Sequence, residues 1–170
     1  MPIGRFLLVL VFLAPVAAGT ALAADWQTYR NVRFGFAVDY PADLLVMKPP
    51  PVNGDGRAFH VPGRRIEVAA SASHNVLDDT IGRLYTKALA EFGPANVSYH
   101  RRGDSFFVVS GISQGRVFYE YVQIARKGGG DYVGRLRILY PPGEKAVMDP
   151  VVARMQRRFS TSFRKMAPAQ

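Results

Sequence analysis

The chain has 170 residues, 48% of them hydrophobic, and a formal net charge of +9. That length and composition suit one folded domain with a substantial core and exclude a disordered profile. Cysteine is absent, which rules out disulfides, cysteine nucleophiles, iron–sulfur clusters and cysteine-based zinc sites.

The first 23 residues have the three-part layout of a secretory signal peptide. Arg5 is a lone positive charge, Phe6 to Ala18 is apolar, and Ala21-Leu22-Ala23 is a small-x-small cleavage site. The apolar run is too short to span a bilayer comfortably, and with no cysteine after it a lipid-anchored lipoprotein is excluded. The chain from Ala24 to Gln170 is expected to be the mature protein, periplasmic or secreted. Removal of Arg5 with the leader leaves it at +8. Such a surface is drawn to acidic protein faces, anionic lipid or acidic glycan. Its simplest reading is a solvated face that keeps the protein soluble.

In the mature chain, Trp26 and Tyr29 are expected to seal one edge of the core. Asn31 to Pro41, NVRFGFAVDYP, follows as a turn, an alternating strand and a proline stop. Phe34, Phe36, Val38 and Tyr40 share parity and so one face; Gly35, Ala37 and Asp39 take the other. The string from Arg33 to Phe36 approaches an RNA-binding signature but lacks its first glycine. Export removes the RNA, so these aromatics are assigned to the core.

Leu44 to Met47 reads as a short strand, ended by the extended prolines Pro49 to Pro51. Asn53-Gly54-Asp55-Gly56 is a turn, since a calcium loop in that register would place prolines at its first and last ligand positions. Arg57 to Val61 and Arg65 to Ala72 predict two strands, the second with Ile66, Val68, Ala70 and Ala72 on one face. Asn75 is the expected cap of a helix, with Asp78 as a weaker capping-box partner. The helix carries a stripe of Ile81, Leu84, Tyr85, Ala88, Leu89 and Phe92 and stops at Gly93-Pro94.

Three strands follow. Phe106 to Ile112 is apolar on both faces, which predicts a central strand. Val117 to Ala125 and Tyr132 to Tyr140 are joined through Lys127 to Gly130. Arg135 and Arg137 share the face opposite Leu136, Ile138 and Tyr140. A final helix is expected from Asp149 as cap and Pro150 in the first turn. Val152, Met155 and Phe159 form its inner stripe, while Arg154, Arg157, Arg158 and Lys165 point away.

This order of parts resembles the PsbP-like superfamily. The resemblance rests on Trp26, Tyr29, Asn31, Phe34-Gly35-Phe36 and Tyr40-Pro41, a pattern that opens many small exported bacterial members. It implies an α+β fold, an antiparallel β-sheet flanked by helices on both faces in an α/β/α sandwich. It implies no shared catalytic centre, and fold does not fix function.

The residues themselves offer little chemistry. His60, His74 and His100 are not at metal-ligand spacing. Ser110 lacks a nucleophile elbow, as do Ser71 and Ser73. Asp78 and Asp79 belong to a helix start, and Glu67 and Glu120 are expected to pair with arginines such as Arg65, Arg135 or Arg137 across a sheet. No cofactor, metal or catalytic role is assigned. The expected function is a non-catalytic exported domain that binds a protein partner or supports an envelope complex. The alternative is a binder of an anionic glycan or lipid headgroup, with an uncharacterised hydrolase as a third reading. The candidate interaction patch is Arg101, Arg102, Arg126, Lys127, Arg135 and Arg137. Nucleic acid is not an expected partner, and no transmembrane helix is expected in the mature chain.

Overall fold

The computed structural model describes residues 24–127 and 130–164. The expected signal peptide, the glycines at 128 and 129 and Lys165 lie outside the described residues. Among the described residues, nine strands and two α-helices follow in the order β1 (Trp26–Arg30), β2 (Ala37–Pro41), β3 (Val46–Met47), β4 (Gly56–His60), β5 (Glu67–His74), α1 (Ile81–Phe92), β6 (Val97–Arg102), β7 (Phe106–Ser113), β8 (Arg116–Lys127), β9 (Gly130–Tyr140) and α2 (Lys145–Arg164). Seven strands form one antiparallel sheet in the order β3-β4-β5-β9-β8-β7-β6. The pair β1-β2 is a separate antiparallel hairpin.

The NVRFGFAVDYP stretch buries the expected face: Phe34, Phe36, Val38 and Tyr40 are all core residues. The strand, however, starts only at Ala37. Gly35 has a positive φ of 72°, and Asn31 organises a turn around it. The Asn31 carbonyl accepts from Gly35 N–H at 2.8 Å, and its side-chain oxygen accepts from Phe34 N–H at 2.7 Å. Phe34 and Phe36 thus reach the core from a turn rather than from a strand.

α1 spans the expected stripe but is capped by Thr80, whose hydroxyl accepts from Arg83 N–H. Asn75 instead braces the loop ahead of it, bonding both the N–H and the carbonyl of Asp79. Asp78 takes a positive φ of 47°, which leaves the chain non-helical until Thr80. α2 begins earlier than Asp149, after a 3₁₀ turn at Pro142–Glu144, and Pro150 sits inside it. Asp149 is not a cap; it accepts from Lys145 Nζ at 2.7 Å and from the Tyr140 hydroxyl at 3.2 Å. The expected central strand, β7, is second from an edge, and β9 holds the centre. The edge strand β6 is an element that hydrophobic periodicity does not announce.

Two apolar clusters form. Ile81, Leu84, Ala88 and Phe92 of α1 pack with Phe107, Val109, Phe118 and Val122. Met148, Val151, Met155, Phe159 and Phe163 of α2 pack with Val108, Tyr121, Leu136 and Ile138, and the β1-β2 residues join them. The closeness of α2 to the sheet explains one glycine. A Cβ at Gly134 would lie 2.6 Å from the Phe163 ring. Gly134→Ala is therefore expected to destabilise by about 1–3 kcal/mol through overpacking, seen as a lower denaturant midpoint at unchanged m-value.

Candidate functional site

The structure separates the six basic residues of the expected patch. Arg135 and Arg137 lie on the same side of the sheet as α1, and both converge on Glu120. Glu120 is 0% exposed. It stands directly across from Arg137 in the β8–β9 pairing. Arg135 Nη1 donates to its Oε1 at 2.6 Å and Arg137 Nε to its Oε2 at 2.6 Å. Arg137 also forks onto Glu91 of α1, at 2.6 and 2.9 Å. Small residues make room, since Ala69 and Ser71 of β5 are the neighbours of Arg137 and Arg135.

The charges are strongly coupled. Burial pushes the Glu120 carboxyl up, while Arg135 and Arg137 hold it down. The hydrogen bond from Arg137 holds the more exposed Glu91 below its usual range. Burial lowers the Arg137 guanidinium, but its bonds to Glu91 and Glu120 outweigh that and leave it raised. The cross-strand pairing expected for Glu120 is present. Glu67 pairs instead with Arg116, at 3.3 Å.

The other basic residues are dispersed. Arg126 bonds Asp131 across the hairpin at 2.9 Å. Lys127 ends β8 opposite Gly130, and its side chain lies outside the described ones. Arg102 sits over the Tyr85 ring of α1. Arg101, one residue along the edge strand, faces the other way and sits over Phe106.

Arg101 lines a groove of about 560 Å³ between α2 and the outer strands β6, β7 and β8. It exists because α2 covers the middle of the sheet but not its β6 edge. The floor is aromatic and aliphatic: Tyr99, Phe106, Val108, Ile112 and Tyr119. Tyr99 and Ile112 are each 53% exposed, two large side chains left open on adjacent strands at one edge of the sheet. On the helical wall, Asp149 accepts from Lys145 Nζ and from the hydroxyl of Tyr140 at the end of β9. Burial, chiefly, pushes Tyr140 up to about 12 and raises Tyr119 further. Both phenols therefore stay neutral at physiological pH. Arg101 has no ion-pair partner among the described residues.

The sequence-level candidates for catalysis are not gathered here. His60 ends β4, His100 is beside Tyr85, and His74 packs on Phe34 and Tyr132. The Ser110 hydroxyl lines the groove but donates to the Phe118 carbonyl at 2.8 Å. Sequence parity had placed Ile112 on one face with Phe106 and Val108. What it could not supply was the end of the helix that leaves Ile112 uncovered.

No family model and no curated protein matches the chain. The structure is similar to the solution structure of cyanobacterial PsbP (CyanoP) from Synechocystis sp. PCC 6803, with a TM-score of 0.55 at 11% identity. The match covers 84% of this chain and 95% of that one. At such identity the likeness carries the fold and not the site. The chain has a PsbP-like fold, built on a large antiparallel sheet with two helices.

Proposed function

We propose that this chain is an exported, non-catalytic domain that binds an apolar segment of a protein partner in the α2–β6 groove. The observation that carries this reading is the exposure of Tyr99 and Ile112 on the groove floor beside Arg101. Large apolar side chains left open at a sheet edge, with a charged rim, are characteristic of protein-docking surfaces. Arg101 favours a partner segment that brings a carboxylate next to its apolar anchor. The layered α/β/α reading supports the same conclusion. One helix belongs to each of the two apolar clusters, and Tyr99 and Ile112 on the β6–β7 floor stay exposed beyond them. Cleavage near Ala23-Ala24 and a periplasmic or secreted location are part of this proposal, with residues 24–170 as a single domain.

The test is affinity capture from the native cell envelope with the chain from Ala24, at low and high salt. A protein partner retained at high salt by the wild type and lost at least tenfold with Ile112→Asp is the expected result. Ile112 is half exposed, so the fold should tolerate the change. Equal capture by wild type and Ile112→Asp would remove the groove from consideration. Of the expected patch, Arg101 belongs to this surface. Arg135 and Arg137 are committed to Glu120 and Glu91, so the interaction role of those two is confined to whatever their outer edges contribute.

A further inference from the structure

A second concavity, of about 360 Å³, lies on another face of α2 and is independent of the groove. It is lined by Arg154, Arg157, Arg158, Thr161 and Asp39. The four helical residues fall at i, i+3, i+4 and i+7, one continuous stripe. Neighbouring like charges at these spacings oppose helix formation, so the stripe is not there for the helix. Asp39 of β2 is the one carboxylate in the cavity. Its oxygens stand 3.5 Å from Arg154 Nε and 3.5 Å from Arg158 Nε, too far for good hydrogen bonds. Its shortest contact is instead with the Thr28 hydroxyl, at 2.8 Å.

Two further features shape the site. Arg158 Nε is buried and makes no hydrogen bond among the described residues, its ion-pair partner Asp39 standing off at 3.5 Å. Arg154 is held in place by Trp26, with its guanidinium 4.1 Å from the ring centroid. Two guanidiniums thus share one loosely engaged carboxylate, and Arg157 beside them has no ion-pair partner among the described residues. This leaves a positive surplus, an open volume and planar donor forks suited to tetrahedral oxyanions.

We propose that this stripe is a binding site for a phosphate-type oxyanion, free or carried on a lipid headgroup. The anion accepts from the guanidinium groups of Arg154, Arg157 and Arg158. Asp39 weakens the site by competing for the same donors.

Calorimetric titration of the mature protein with inorganic phosphate, at fixed ionic strength against chloride, tests the site. Saturable binding is expected. Arg157→Gln, a change at an exposed position that leaves the fold intact, should weaken it at least threefold. The double change Arg157→Gln/Arg158→Gln should weaken it tenfold or more, and Asp39→Asn should tighten it severalfold. Co-sedimentation with phosphatidylcholine vesicles, with and without phosphatidic acid, separates the two sources. Phosphatidic-acid binding competed by phosphate assigns a headgroup, and phosphate binding without vesicle binding assigns the free anion. No saturable phosphate binding, or the same affinity in wild type and Arg157→Gln, would overturn the proposal.

Discussion

Arg137→Ala is expected to destabilise the protein by about 3 kcal/mol or more at neutral pH, measured by denaturant unfolding. The cause is what the substitution leaves behind. Glu120 is fully buried and its charge is tolerable only because two guanidiniums reach it. Removing one partner of a buried pair strands the other, at a typical cost of about 3–5 kcal/mol. Arg135 still reaches Glu120, which puts the expectation at the lower end. Arg137 also loses its fork onto Glu91 and its place over the Phe92 ring, 5.1 Å from the centroid. The anchoring of α1 to β9 weakens with it.

The same reasoning fixes a rescue and a pH dependence. Adding Glu120→Gln removes the stranded charge, so the double variant should be more stable than Arg137→Ala alone. In the single variant the Glu120 carboxyl has lost one of the charges that held it down, and burial raises it further. A raised carboxyl destabilises the fold while both states are ionised, and protonation relieves that cost. The penalty of Arg137→Ala should therefore shrink as pH falls from neutral toward the ordinary carboxylate range. Glu91 runs the other way in the wild type. Its lowered carboxyl contributes stability above its unfolded value, and that contribution is lost as pH falls through the lowered one. A penalty that grows on acidification, or a double variant no better than the single, would show that Glu120 is not the stranded group.

This network also marks the limit of what was legible in the sequence. Parity alone placed Arg135 and Arg137 on the face opposite Leu136, Ile138 and Tyr140, and the structure keeps them there. A polar strand face looks like solvent-facing surface until the register is known. A cross-strand arginine for Glu120 was foreseeable from the pattern, but the convergence of two arginines on it, its full burial and the arrival of Glu91 from α1 are tertiary facts. The aromatic face of Phe34, Phe36, Val38 and Tyr40 was legible because burial follows parity even where a turn replaces the strand. The edge strand β6, Val97–Arg102, was not, since an edge has a single neighbour and VSYHRR carries no apolar alternation. Asp149-Pro150 imitates a helix start. Yet Lys145 to Met148 are already helical, because the 3₁₀ turn at Pro142–Glu144 feeds the helix and Tyr140 and Lys145 both engage Asp149. The groove and the arginine cavity share this origin. The groove depends on where α2 lies across the sheet and the cavity on where α2 meets β2, and no local pattern encodes either placement.

That placement rests on Phe159. Phe159→Ala is expected to cost about 3–5 kcal/mol, the usual range for truncating a buried aromatic. For a domain of this size the loss corresponds to a fall in Tm of roughly 8–15 °C. Phe159 is fully buried and is the point where three parts of the fold meet. Its ring lies edge-on to Phe36, 5.2 Å away, and edge-on to Tyr121 of β8 at 6.2 Å. One turn further along α2, Phe163 stacks against it at 5.7 Å. The hairpin, the sheet and the helix are thus joined through one side chain, and its truncation removes aromatic pairing as well as apolar burial. Nearby, the Ser162 hydroxyl bonds both the N–H and the carbonyl of Ala37, each at 2.9 Å. Those bonds hold β2 against α2 without filling space. Phe159→Leu keeps most of the volume and should lose well under half as much as Phe159→Ala. Because Phe36 ties the turn before β2 to the helix, Phe159→Ala should also let Asp39 and Arg158 drift apart. A loss below about 1 kcal/mol would mean that α2 can dock on the sheet without this contact, and Ser162 together with Met155 would then be the groups that hold it.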